Sequence, residues 1–405
     1  MNTLLLIWSA VLGIVAVLWA SRHAALTRNQ RSEKPLSSRT PVKLPQPVPK
    51  VTFLVAAKEE EANIETCVNS MLSQDYPELE VIAINDRSED RTAEILDSIQ
   101  STNGVPYTAL HISELTEGWF GKNNAMHQGV QRAKGEWLCF TDADCRQISN
   151  RTISVALSYA VDHDIDLLSV LPVLETESFW ERVLQPVCAA IMVMWFRPEA
   201  VNNPKSKAAY ANGAFMLMRR SLYDEIGGHE RIKTEVNEDM HMARLTKQAG
   251  RRLHVIQNDD LYRTRMYSSF GECWRGWSRI FYGCFGSFRR LLVTTMVLSV
   301  ASILPWFSLG AGLVGCFVAE IVSPWQWLTA LSITAIFAQQ TLLVRFYRTN
   351  QSNPWYVPTY IIGAVIAFGM LLKAMTKLRG LSTTTWRGTT YRGNQLVAGE
   401  KRLVR

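Results

Sequence analysis

The sequence predicts an α/β protein in which a doubly wound, Rossmann-like domain carries transmembrane helices at its N-terminal and C-terminal ends. Three observations lead there. Apolar runs of strand type alternate with helical stretches between residues 51 and 265, the pattern of a parallel, doubly wound sheet. Apolar residues make up 47% of the 405 residues but are unevenly placed, with long runs at the two ends and a globular composition between them. One central run, Trp137 to Phe140, closes on Asp142-Ala143-Asp144, two acids on one side of an extended chain just past a strand end.

Taken in order, Leu4 to Ala20 is apolar apart from Trp8 and Ser9, at the short limit for a span. It has no basic N-terminal region and no small-residue cleavage site, so residues 1–21 read as an anchor and not as a removed signal peptide. Arg22, Arg28, Arg31 and Lys34 follow, and the positive-inside rule starts the rest of the chain in the cytoplasm. Residues 22–50 carry Pro35, Pro41, Pro45, Pro47 and Pro49 and read as an extended tether with no packed element.

The α/β region spans 51–265. Val51 to Ala57 reads as a buried strand, and Glu59-Glu60-Glu61 opens a helix through Leu72, acids suiting a helix N-terminus. Leu79 to Ile84 is a second strand, ending in a polar turn, Asn85 to Thr92, that caps a helix to Ile99. Leu167 to Leu171 and Ala214 to Met218 read as further strands. Val183 to Phe196 is apolar but too short to span, which suits a helix on a membrane or in a core.

Residues 266–290 mix Trp274, Trp277, Phe281 and Tyr282 with Arg275, Arg279, Arg289 and Arg290, as an interfacial aromatic and basic helix does; an amphipathic core helix fits nearly as well. Residues 291–375 hold three spanning candidates, Leu291 to Val314, Trp327 to Val344 and Tyr356 to Met375, before a basic tail at 376–405. Arg289 and Arg290 place the first start inside, and Arg345 and Arg348 place the second end inside. Three full spans would leave Lys377, Arg379 and Arg387 outside, against the rule. Either one segment is re-entrant, or the run 291–322 breaks near Pro305 into two short helices, or the rule fails here.

The net charge of +7 lies mostly beside the apolar runs, which favours an anionic membrane surface over nucleic acid, and no nucleic-acid signature is present. Seven cysteines form no C-x-x-C pair and read as reduced, mostly buried thiols of a cytosol-facing protein.

Asp142 and Asp144 would repel unless a cation sat between them, and hard oxygen ligands suit Mg2+ or Mn2+ with positions left for phosphates. Alone, the tripeptide is better explained as a solvated turn, because it is common. The other polar stations also have plain readings: Asp86 as a helix cap, Lys122 as a surface lysine, Glu238-Asp239 as the acidic first turn of a helix through Gln248. As a set they resemble the family 2 glycosyltransferases, which have a GT-A fold. Ala57-Lys58-Glu59-Glu60 is similar to the family's P-A-x-N-E, Asn85 to Thr92 to D-D-x-S-x-D-x-T, and Gly121-Lys122-Asn123-Asn124-Ala125 to G-K-x-x-A. Asp142-Ala143-Asp144 matches D-x-D, Ala211 to Phe215 matches G-x-G-A-F, and Glu238-Asp239 matches E-D. The membrane parts are similar to the branch that glycosylates lipids such as ceramide, hopanoids and carotenoids, as are Arg265-Met266-Tyr267 and Trp386-Arg387-Gly388-x-x-Tyr391.

The resemblance implies an integral membrane enzyme, of the inner or plasma membrane if bacterial, with a cytoplasmic catalytic domain. It would move one sugar from a nucleotide-sugar donor, a UDP-sugar being expected, to a hydroxyl of a membrane lipid, with inversion. It implies Mg2+ or Mn2+ held by Asp144 and Asp142, donor contacts from Ala57, Glu60, Asp86, Lys122 and Asp142, and Asp239 as the base. Asn212, Gly213, Glu238, Arg265, Arg275 and Trp277 become candidate contacts to the acceptor or the donor sugar. Ala56, Glu59 and Asn85 depart from the family pattern at the positions of its Pro, Asn and first acid. A processive polysaccharide synthase would carry Gln-x-x-Arg-Trp; here Glu272 replaces Gln and Gly276 separates Arg275 from Trp277. An inactive scaffold is disfavoured because Asp86, Asp142, Asp144 and Asp239 are all acids.

Overall fold

The computed structural model describes residues 2–379 except 102, 103 and 320, and, in the tail, 384–386, 389–392 and 395–396. Arg387 and Gly388 of the Trp386–Tyr391 motif lie outside the described residues. The first elements are α1 (Asn2–Ser32), β1 (Val51–Ala57), α2 (Ile64–Leu72), β2 (Leu79–Asp86), α3 (Thr92–Ser98), β3 (Tyr107–Ile112), α4 (Gly121–Arg132) and β4 (Trp137–Asp142). Then come β5 (Cys145–Gln147), α5 (Thr152–Asp162), β6 (Leu167–Leu171), β7 (Val173–Leu174), α6 (Phe179–Trp195), α7 (Pro198–Asn202) and β8 (Met216–Arg219). They are followed by α8 (Arg220–Glu225), α9 (Gly228–Arg231), α10 (Glu238–Gln248), β9 (Leu253–Gln257), β10 (Tyr262–Thr264) and α11 (Phe270–Phe285). The last are α12 (Phe288–Val297), a π turn (Leu298–Ile303), α13 (Leu304–Val318), α14 (Ser323–Thr349), a 3-10 turn (Pro354–Thr359) and α15 (Tyr360–Leu378). The chain divides into an α/β unit, built on Pro35–Glu175 and Val193–Met266, and a helical unit of Met1–Lys34, Thr176–Met192 and Tyr267–Leu381.

The α/β unit is a seven-stranded sheet in the order β3-β2-β1-β4-β8-β6-β9. β1, β2 and β4 are buried on both faces, which is why they read as unbroken apolar runs. The sheet is mixed and not wholly parallel: β8 runs antiparallel to both β4 and β6. β8 begins at Met216, two residues later than expected, because Asn212 to Phe215 forms a turn that aims its backbone at the strand ends. β3 escaped the sequence reading because it is an edge strand whose residues are mostly half-exposed. The parallel register sets Ala56 opposite Asp142 and Ala57 opposite Asn85, so three of the polar stations end at one edge.

The stretch 35–50 is extended but not a free tether, which corrects the expectation. Leu36 is buried; its N–H donates to Gln257 O at 2.8 Å and its carbonyl accepts from Asp259 N at 2.8 Å. Ser38 bonds the Asp260 carboxylate through its N–H and hydroxyl, and Val42, Leu44 and Val48 pack on the sheet's core. Proline removes donors without preventing a side chain from packing. At the opposite sheet edge, the Glu80 carboxylate accepts from the Thr52 hydroxyl, from Lys134 N at 2.5 Å and from Lys50 at 3.4 Å. Burial works against that charge, but these partners hold Glu80 below its ordinary value.

In the helical unit, Thr3–Arg28, Phe288–Val318, Ser323–Thr349 and Pro354–Leu378 are long and apolar enough to cross a membrane. α1 continues to Ser32, past the boundary expected at residue 21. Phe288–Val318 is one helical run and not two short helices. The π turn just before Pro305 widens the backbone where the proline ring would strike the preceding turn. α11 starts on Ser269, whose hydroxyl caps Glu272 N, buries Cys273, Trp277, Phe281 and Cys284 on one face, and ends at Gly286 with φ +59°. Gly276 is where the Tyr267 ring lies, and any side chain there would overlap it.

Gly135, in the turn before β4, donates to the Thr52 hydroxyl at 2.8 Å, and a Cβ there would overlap the Thr52 backbone N. Gly135→Ala should therefore lower stability by about 1–3 kcal/mol, the cost of overpacking a rigid site. Thermal unfolding of the full chain in detergent checks this; an unchanged Tm would show that the turn can move.

Candidate active site

The sheet edge at the ends of β1, β2 and β4 gathers the polar stations. Lys122, in the first turn of α4, donates to Asp142 Oδ1 at 2.5 Å and pairs with Glu238 Oε1 on α10. Burial opposes its charge, but Asp142 and Glu238 outweigh burial and hold the ammonium above its ordinary value. Asp239, next to Glu238, accepts from Gly213 N at 3.1 Å through Oδ2 and from Met240 N at 2.7 Å through Oδ1. The loop presenting Gly213 is stapled: Asn212 N donates to Ser169 Oγ at 2.9 Å, Asn212 Oδ1 accepts from Ala214 N at 2.9 Å, and the Thr141 hydroxyl donates to Ala214 O at 2.8 Å. A Cβ on Gly213 would stand 3.4 Å from Glu238 Oε1, 3.5 Å from Lys122 Nζ and 3.6 Å from Asp142 Oδ2, so this glycine faces the ionic cluster.

Asp144 follows β4 and precedes β5, which pairs with β10; Arg265 N donates to its carbonyl at 3.4 Å. Burial, then the charges of Asp142 and Glu60, push the Asp144 carboxyl up to about 7, against the pull of Thr264 and Lys122. Asp239 is also pushed up to about 7, by burial and by Glu238, with Lys122 opposing. Glu60 is buried after β1, its Oε2 accepting from Asn63 Nδ2 at 2.9 Å, and Ala57 is the buried last residue of that strand. Arg275 and Trp277 belong to the helical unit: Arg275 is exposed, and Trp277 is buried with its ring 5.8 Å from that of Phe281.

Asp86 is 4% exposed and already engaged. Arg87, held at φ +57°, grips it with two bonds, Nε to Oδ1 at 2.8 Å and an Nη to Oδ2 at 3.1 Å. The turn is fixed by Asn85, which accepts from Ser88 N at 3.2 Å and bonds His111 Nδ1 at 3.3 Å, while His111 Nε2 meets Asp97 at 2.9 Å. Arg87 was missed in the sequence because an arginine in a polar turn reads as solvated; its place beside an acid at a strand end was the available signal. Burial and the Arg87 charge lower the neighbouring Lys58 from its ordinary value.

Two carboxylates at one strand end, with a third acid acting on them, form a hard-oxygen set short of positive charge, which fits a divalent cation. Among the described residues no three His, Cys, Asp or Glu side chains converge as a complete cage. Asp142 and Asp144 would thus be its protein ligands, with phosphate oxygens and water completing the shell.

The mixed α/β sheet thus gathers acids, a lysine and backbone N–H groups at one edge. Comparison with known proteins identifies the family. Residues 52–227 match the family described as glycosyl transferase family 2, and residues 165–339 match glycosyl transferase family group 2. The chain is 25% identical over 261 residues to 4,4'-diaponeurosporenoate glycosyltransferase of Staphylococcus aureus (strain USA300), covering 63% of this chain and 68% of that one. Among solved structures it is similar to the mannosyltransferase PcManGT from Pyrobaculum calidifontis in complex with GDP-Man and Mn2+. That likeness has a TM-score of 0.50 at 18% identity and covers 91% of this chain and 99% of that one. The chain belongs to the family 2 glycosyltransferases, with a GT-A fold, and is a glycosyltransferase.

Gly121 opens α4 against Asp86: a Cβ there would overlap Asp86 Oδ2 and lie 2.9 Å from an Nη of Arg87. Gly121→Ala should displace the Asp86–Arg87 pair and weaken donor binding about tenfold, the equivalent of ~1.4 kcal/mol. Calorimetry with the donor checks this, and unchanged affinity would separate the pair from the donor site. The raised carboxyls also fix a pH dependence. Both stay protonated between about 4 and 7, where free carboxylates ionise, so their contribution to stability falls as pH rises through that window. With Asp239 as the base and Asp144 as a cation ligand, the roles the sequence resemblance implies, activity would have the opposite sign, because only the ionised forms accept a proton or hold a cation. Transfer rates at saturating donor should rise from pH 6 to pH 8, and a flat profile would contradict the assignment.

Proposed function

We propose that this enzyme transfers one sugar from a nucleotide-sugar to a hydroxyl of a membrane lipid, with inversion and with Mg2+ or Mn2+. The observation that carries the reading is the chain Asp142–Lys122–Glu238 lying beside Asp239, whose two oxygens accept backbone N–H groups. A cation for a diphosphate and a fixed carboxylate for the attacking hydroxyl thereby share one edge of the sheet. The long apolar helices and the carotenoid-type substrate named for the Staphylococcus relative support a lipid acceptor. Residues 51–265 would form the catalytic domain, in the cytoplasm, and the apolar helices would anchor it.

In this reading the acceptor oxygen attacks C1 of the sugar from the face opposite the diphosphate. The new C1–O bond forms as the bond to the phosphate oxygen breaks, and that electron pair leaves with the nucleoside diphosphate. Asp239 takes the hydroxyl proton; the Gly213 and Met240 N–H groups hold its carboxylate in place, and a single displacement inverts C1. Lys122 gives up its contact with Asp142 to meet the diphosphate as a point charge. A divalent ion on Asp142 and Asp144, when bound, would neutralise charge on the leaving group. A UDP-sugar is the proposed donor; the GDP-Man complex of PcManGT makes a GDP-sugar the necessary competitor in any assay.

A second reading follows from the relative's name. Diaponeurosporenoate is a carboxylate, which attacks without losing a proton, so a carboxylate acceptor needs no base. Asp239→Asn separates the two. With a hydroxyl acceptor, transfer should drop roughly 10²–10⁴-fold while donor and Mn2+ affinities hold. With a carboxylate acceptor the loss would be mild. Asp144→Ala is the contrast, since it should lose donor and Mn2+ binding together. Incorporation of labelled sugar into lipid extracts, followed by mass spectrometry, reads the outcome; lengthening chains on one acceptor would select a processive synthase, and no transfer from any nucleotide-sugar an inactive scaffold.

A further inference from the structure

Three of the four long apolar stretches pair along one another in the helical unit. Trp8 donates to Ser308 Oγ at 2.8 Å, Leu12 packs with Leu328, and Gly315 leaves room for the Trp325 ring. One layer further along, Trp19 donates to Ala301 O at 2.8 Å and Trp306 donates to Gln339 Oε1 at 3.0 Å. The next layer is charged: Arg345 donates to His23 O at 3.2 Å and to Thr27 Oγ1 at 2.8 Å, and Gln30 donates to Thr349 Oγ1 at 2.7 Å. The level of Ala301 and Ser302 is therefore the last before the basic boundary. From Ser302 to Val318 the helix rises ~24 Å at about 1.5 Å per residue, most of a ~30 Å hydrocarbon core.

α15 starts at that boundary. Tyr360 lies 3.1 Å from Ser302 Oγ through its hydroxyl, and beyond the other end of the helix Arg379 stacks over the Phe288 ring at 4.4 Å. The helix runs back along α12, away from the spanning layers, and makes no extended contact with α13. Gly363 packs on α6 at Val183 and Val187, and Gly369 on Trp274 of α11. To cross the bilayer from the Ser302 level, α15 would have to run beside α13 in the same sense as α13, the reverse of its present direction.

We infer that α15 does not span: it lies at the headgroup–acyl interface of the inner leaflet with α6, α11 and the start of α12, and the chain beyond it returns to the side of Arg289 and Arg345. Its partner surface is the lipid of that leaflet. Ile362, Val365 and Leu372 are exposed and apolar and meet acyl chains, while exposed Arg289, Arg290, Lys373 and Arg379 meet headgroup phosphates. The placement also removes the conflict with the positive-inside rule, since Lys377 and Arg379 then end on the basic side.

Two reporters of opposite response test this on the full chain: green fluorescent protein, which is bright only when left inside, and alkaline phosphatase, which is active only when carried outside. Each is attached after Arg405, inserted after Gln351, or inserted in the 319–322 loop. The expected result is fluorescence without phosphatase activity at both Gln351 and Arg405, and the reverse at 319–322. Phosphatase activity after Arg405 with fluorescence at Gln351 would make α15 a full span and overturn the inference.

Discussion

The site depends on one ammonium group held between two carboxylates from different elements. Lys122 comes from the start of α4, Asp142 from the end of β4 and Glu238 from the start of α10. Without that cation, Asp142, Asp144, Glu60, Glu238 and Asp239 would crowd one sheet edge with uncompensated charge. Asp144 and Asp239 show the strain that remains, since both carboxyls are pushed up to about 7. Such an edge folds and is still short of positive charge, which the proposed metal ion would supply for a diphosphate.

Glycines let the parts approach. Gly121 brings the α4 N-terminus onto the Asp86–Arg87 pair, and Gly213 brings a backbone N–H onto Asp239. Neither has a left-handed backbone; each is small because a functional side chain occupies the space. Gly276 is the same device in the helical unit, where the Tyr267 ring takes the place of a side chain between Arg275 and Trp277.

The helical unit obeys a different constraint. In lipid a polar group must find its partner inside the protein, and the partners here come from neighbouring helices: Ser308 for Trp8, Ala301 for Trp19, Gln339 for Trp306. These contacts set the depth of each helix against the others. They thereby distinguish helices that run the length of the bundle from α15, which composition alone cannot do.

What the sequence determined by itself was whatever local pattern encodes: the buried strands β1, β2 and β4, the acids at their ends, the α10 helix start, and the apolar stretches. Short-range chemistry sets these, through burial on both sheet faces, side-chain alternation and helix-end charge. The motif set was legible for the same reason, since each station sits at a strand or helix terminus. Tertiary structure decided the rest. β8 runs antiparallel to β4 and β6, a fact of topology and not of residue type. The 35–50 stretch is pinned by Gln257, Asp259 and Asp260, far along the chain. Lys122 joins Asp142 to Glu238 only because folding brings distant elements within ion-pair reach, and Arg87, although next to Asp86 in the chain, turns onto it because the backbone there is held at φ +57°. Hydropathy measures whether a helix tolerates lipid, whereas depth depends on which layer of its neighbours it meets, and for α15 that layer begins at Ser302.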